Sequence, residues 1–75
     1  MEKILHQKAE QVDSRVIYLS DKQLGARFGV HRTAIWRWVR EGDFPAPVQL
    51  SKGCTRWRLA NVEAWELAKS EQAAG

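Results

Sequence analysis

The segment from Ser20 to Pro47 constrains this chain most, because its punctuation admits two short helices, the turn between them and little else. Ser20 followed three residues later by Gln23 is a capping box, in which the hydroxyl accepts from the Gln23 backbone N–H and the Gln23 side chain reaches back to the backbone of Ser20. The helix that starts there carries Leu24 and Phe28 on one face and stops at Gly29, a residue free to take the left-handed geometry of a helix end. Val30 and His31 lead into a second helix, Arg32 to Glu41, closed by Gly42, and Pro45 and Pro47 block continuation. Two helices across one tight glycine-centred turn form a helix-turn-helix.

The second helix has two unlike faces. Ile35, Trp38 and Val39 recur at i, i+3 and i+4 beside Ala34 and form a buried stripe, while Thr33, Trp36, Arg37 and Arg40 share the other side, with Arg32 at its N-terminal edge. After the prolines, Val48 to Leu50 and Thr55 to Leu59 alternate as strands do, which predicts a β-hairpin. In its second strand Thr55, Trp57 and Leu59 point one way, Arg56 and Arg58 the other, and Lys52 stands at the tip. A last helix from Ala60 to Lys69 presents Val62, Trp65 and Ala68 inward, and Trp38, Trp57 and Trp65 are assigned to the core. The expected class is mainly α with a small β-hairpin, a winged helix-turn-helix.

Seventy-five residues hold one small domain. The pattern divides them into a flexible arm over 1–16, the compact unit over 17–69 and a disordered tail over 70–75. Hydrophobic residues at 44% and charged ones at 28% exclude wholesale disorder. The single Cys54 allows no internal disulfide, no secretory leader pattern is visible, and no apolar run approaches the roughly 20 residues of a membrane span, so a cytoplasmic protein is expected. His6, His31 and Cys54 are scattered singly, without the spacing of a zinc site, and neither metal nor cofactor is expected. With no nucleophile and base pair and no phosphate-cradling glycine loop, enzymatic activity is not expected either.

Charge directs the functional reading. The net charge is only +3, but Arg27 to Arg58 holds seven basic and two acidic residues, a local balance of +5, and six of those seven are arginines. The planar fork of arginine suits phosphates and the guanine edge. A helix of this kind fits the major groove of B-form DNA, and a basic hairpin beside it rests on phosphates or enters the adjacent minor groove. Arg32, Thr33 and Arg37 are assigned to base edges, with Trp36 on a sugar or thymine methyl. His31, Arg40, Lys52, Arg56 and Arg58 are assigned to phosphates. Each assignment has a plainer competitor: a solvated face for Arg37 and Arg40, packing against the hairpin or the N-terminal arm for Trp36, and edge-strand protection for Arg56 and Arg58.

The stretch Tyr18 to Leu24, the run Gly29-Val30-His31-Arg32-Thr33-Ala34-Ile35-Trp36-Arg37-Trp38-Val39-Arg40-Glu41-Gly42-Asp43-Phe44-Pro45, and the segment Arg56 to Trp65 together resemble the AlpA family of prophage-associated regulators, over about two thirds of the chain. The family is related to excisionases and MerR-like winged helices. The resemblance implies a protein that binds double-stranded DNA near phage or genomic-island genes, as a transcriptional regulator or as an excisionase directing DNA recombination. It places the recognition helix on Arg32 to Arg40 and the wing on Leu50 to Arg58, and it adds a phage-type integrase and cooperative self-association on DNA as partners, with no membrane. Three positions depart from the family pattern: His31 and Ala60 stand where a capping serine is usual, and Glu66 where an apolar residue is common. A rival reading is a protein-interaction adaptor that docks Trp36 and the C-terminal helix on an integrase, polymerase or DNA-packaging enzyme.

Overall fold

Residues 16–74, described by a computed structural model, form strand β1 (Tyr18–Leu19), helices α1 (Asp21–Phe28) and α2 (Arg32–Arg40), strands β2 (Val48–Ser51) and β3 (Cys54–Arg58), and helix α3 (Leu59–Ala74). The arm expected over 1–16 lies outside the described residues except for Val16. The helix-turn-helix, the hairpin and the final helix are all present, which makes the fold a winged helix-turn-helix.

Local chemistry sets the first two helices. The Ser20 backbone N–H donates to Gln23 Oε1 at 2.8 Å and the Gln23 N–H donates to Ser20 Oγ at 3.1 Å, completing the capping box at the start of α1. At the other end Gly29 adopts φ 72°, and the Val30 N–H returns to the Gly25 carbonyl at 2.8 Å. Gly25 itself is the residue that lets the helices meet: a Cβ there would lie 2.6 Å from the Val30 carbonyl oxygen, and a backbone atom cannot move aside as a flexible side chain does. His31 caps α2 in place of a serine, its ring Nδ1 accepting from the Thr33 N–H at 3.2 Å. The departure from the family pattern therefore preserves the cap with a different acceptor.

The sheet is larger than the sequence suggests. β2 and β3 pair as the expected hairpin, and β1 adds to the free side of β3 through Tyr18 opposite Arg58 and Leu19 opposite Trp57, giving the order β1-β3-β2. Two residues are too few to show alternation, so β1 exists only through its partner. The final helix also differs at both ends. Leu59, expected in the strand, opens α3 and donates its N–H to the Ile17 carbonyl at 2.7 Å. The far end runs to Ala74, so residues 70–74, expected in the tail, are helical. Ser70-Glu71-Gln72-Ala73-Ala74 contains good helix formers and no breaker, and the helix propagates through it.

Leu24, Ile35, Phe44, Trp57 and Val62 form the buried core, with Phe28, Trp36, Trp38 and Trp65 half-buried around it. Phe44, from the loop after α2, is central: its ring lies 4.8 Å from Trp65, 6.0 Å from Phe28 and Trp38, and 6.3 Å from Trp57. Two indoles fasten that loop, Trp57 donating to the Pro45 carbonyl at 2.8 Å and Trp65 to the Asp43 carbonyl at 2.5 Å. Lys69 adds an ion pair with Asp43 at 2.7 Å. Ala68, expected inward, is exposed, because on this part of α3 the contacts to the body are made by Glu66 and Lys69. Glu66 receives the Arg27 guanidinium through two bonds, at 2.5 and 2.8 Å, tying α3 to α1. This explains an acid where the family favours an apolar residue. The Arg27 guanidinium holds the Glu66 carboxyl below its ordinary value, and Glu66 in turn raises that of Arg27.

Candidate nucleic-acid interface

The glycine turn fixes how α2 leaves α1, and the burial of Ala34 and Ile35 fixes its rotation. Thr33, Arg37 and Arg40 then fall within about 60° of one another at 100° per residue, on the side away from the core, and all three are exposed. Arg32, the first residue of α2, is also exposed, as is His31 just before it. The side chain of His31 is turned to its own helix: besides capping, Nδ1 lies 3.1 Å from Thr33 Oγ1.

Trp36 occupies the border between the two faces. Its ring is half-buried, meets Trp57 edge-on at a centroid distance of 5.1 Å, and donates its indole N–H to Asp21 Oδ2 at 2.9 Å. Trp36 thus packs against the hairpin, and it joins α2 to the wing and to the start of α1. The same Asp21 oxygen takes Arg32 Nη1 at 3.4 Å. The Asp21 carboxyl is held below its ordinary value, chiefly by the Trp36 N–H; partial burial opposes this, and the Lys22 backbone N–H and Arg32 reinforce it.

On the wing, Lys52 is exposed at the turn between β2 and β3. Arg58 is exposed, its guanidinium 6.0 Å from the centre of the Tyr18 ring on the neighbouring strand. Arg56 is half-buried and donates to the carbonyl of Thr55 at 2.8 Å. Since residues alternate along β3, Arg56 and Arg58 lie on the sheet face opposite Trp57. The structure therefore gathers Arg32, Thr33, Arg37 and Arg40 on one helix, sets Lys52, Arg56 and Arg58 on the hairpin, and draws Trp36 inward between them. Arg37, Arg40, Lys52 and Arg58 pair with no acidic side chain among the described residues. Asp21 is not singled out by sequence, because an acid in the first turn of a helix is commonplace.

Among the described residues no group of three or more His, Cys, Asp or Glu side chains is placed to hold a metal ion, and no helix is long and apolar enough to cross a membrane. The family model for the prophage CP4-57 regulatory protein (AlpA) matches residues 18–69. The chain belongs to the AlpA family. The matched region runs from the first residue of β1 to Lys69 in α3, and so contains the whole helix-turn-helix, the wing and each basic residue just described. No match was found among curated proteins or solved structures. Membership makes this a chain of a prophage regulatory family, and the match stops five residues before the end of α3.

Proposed function

We propose that this AlpA-family chain is a non-enzymatic, sequence-specific duplex-DNA-binding protein that controls transcription of prophage or mobile-element genes. In this reading α2 lies in the major groove. Arg32, Thr33 and Arg37 read base edges, Arg40 and His31 approach the flanking phosphates, and Lys52, Arg56 and Arg58 follow the backbone along the hairpin. The observation that carries the reading is the exposed face of Thr33, Arg37 and Arg40, whose cations are left without acidic partners among the described residues on a helix of fixed rotation. Cations left unneutralised within the fold suit an external polyanion. Binding at an attachment site to direct excision by a phage-type integrase would use the same face, with neighbouring copies supplying the affinity that one small domain lacks. The adaptor reading loses support because Trp36, its exposed docking residue, is half-buried against Trp57.

The electrostatic part is tested by titrating salt against binding of a short duplex. If Arg40, Lys52, Arg56 and Arg58 all neutralise phosphates, log K falls with log salt at a slope of about −3 to −4 per monomer. A slope near zero contradicts DNA as the partner of this face.

A further inference from the structure

We infer that Asp21 is a positioning residue, which orients Arg32 at the start of α2 and thereby sets how sharply the protein discriminates among DNA sequences; the inference rests on the DNA-binding reading above. One carboxylate oxygen of Asp21 serves two donors, the indole N–H of Trp36 at 2.9 Å and Arg32 Nη1 at 3.4 Å. The acceptor is the fixed member of this group. It stands on the first residue of α1, its side chain is 23% exposed against 48% for Arg32, and the indole that holds it packs against Trp57, which is 1% exposed. Moving Asp21 therefore requires repacking the contact between helix and wing, whereas Arg32 moves through solvent.

A long side chain loses rotamer freedom on docking, and arginine is among those that lose most when fully ordered. A carboxylate anchored beside it narrows that freedom before DNA arrives. The same negative charge repels phosphates whatever the sequence. That repulsion falls on every duplex alike and cancels in the ratio of specific to non-specific binding, so it is the ordering of Arg32 that raises the ratio, by favouring the correct site. As a source of stability the exposed ion pair contributes little. The consequence belongs in discrimination and not in melting.

The test uses two duplexes, one recovered from a randomised pool by in vitro selection with the wild-type protein and one with the same composition scrambled. Affinities for both are measured at one salt concentration for wild type, Asp21→Asn, Arg32→Ala and the double variant. Asparagine keeps an oxygen that accepts from Trp36 and removes the charge, so the melting temperature stays within about 3 °C of wild type. Asp21→Asn is expected to lower the selected-to-scrambled affinity ratio about three- to fivefold, as loss of an exposed ion pair allows, and to lower it no further when Arg32 is already alanine. Trp36→Phe, which frees the Asp21 carboxylate while leaving both charges in place, provides a second variant expected to lower the ratio in the same direction. A ratio for Asp21→Asn and Trp36→Phe within twofold of wild type, while Arg32→Ala lowers it, overturns the positioning role and leaves Arg32 as a base reader. An equal loss in the presence and absence of Arg32 also overturns it. If Arg32→Ala leaves the ratio unchanged, the assignment of Arg32 to bases fails and the role of Asp21 fails with it.

Discussion

Replacing Trp57 by alanine lowers the free energy of unfolding by about 3–5 kcal/mol, as removal of a fully buried large aromatic ring does. Trp57 is 1% exposed, lies against Trp36 and Phe44, and holds the loop after α2 through its bond to the Pro45 carbonyl at 2.8 Å. The truncation thus opens a cavity where the wing, α2 and that loop converge. A single core in a domain of this size rarely supplies more than about 3–5 kcal/mol of stability. The alanine variant is therefore expected to be largely unfolded at 25 °C, with a far-UV circular dichroism spectrum depleted in helix before urea is added. Trp57→Phe retains much of the ring and loses the hydrogen bond; it should fold cooperatively with a lower urea midpoint. An alanine variant that unfolds in urea at nearly the wild-type midpoint would contradict the central place given to Trp57.

The largest effect on binding is expected from Arg37. Alanine at this position costs about 1–3 kcal/mol at the preferred site and relaxes specificity at one base pair. Lys52→Ala at the hairpin tip weakens all duplexes alike and reduces the salt slope by about one. The difference follows from placement. Arg37 projects from the middle of the exposed face of α2, whereas Lys52 lies on the turn between two strands. Fluorescence anisotropy at about 0.15 M salt, close to physiological ionic strength, separates the two patterns when each variant is measured on the preferred duplex and on its single-base-pair substitutions. If both variants weaken every duplex by the same factor, Arg37 reads no base.

Much of this architecture is legible because it is written locally. The capping box at Ser20 and Gln23, the left-handed Gly29 and the prolines after Gly42 mark helix ends without reference to the rest of the chain. What sequence does not reveal depends on distant partners. β1 has two residues and exists because Arg58 and Trp57 lie opposite it. Phe44 looks like a loop residue, yet it is only 5% exposed because the loop folds back over four aromatic rings. Trp36 sits at the edge between the apolar and basic faces of α2, where helical spacing alone leaves both directions open. Trp57 and Asp21 decide it, one by packing and the other by accepting the indole N–H.

The positions that depart from the family pattern are instructive for the same reason. His31 is read from sequence as a missing cap, and the structure gives it the capping role through Nδ1. Glu66 is read as a polar intrusion, and it proves to be the acceptor for Arg27 across two helices. Neither residue changes the scaffold, because each supplies the interaction its position requires by different atoms.

Sequence-specific recognition of duplex DNA is tested most directly by passing sheared genomic DNA from a host carrying the element over the immobilised protein at about 0.15 M salt and sequencing the retained fragments. The expected result is enrichment of a short common sequence, confined to promoter regions for a transcriptional regulator or repeated at an element's attachment junction for an excisionase. Retained fragments with the same sequence content as the input would contradict specific reading by Arg32, Thr33 and Arg37.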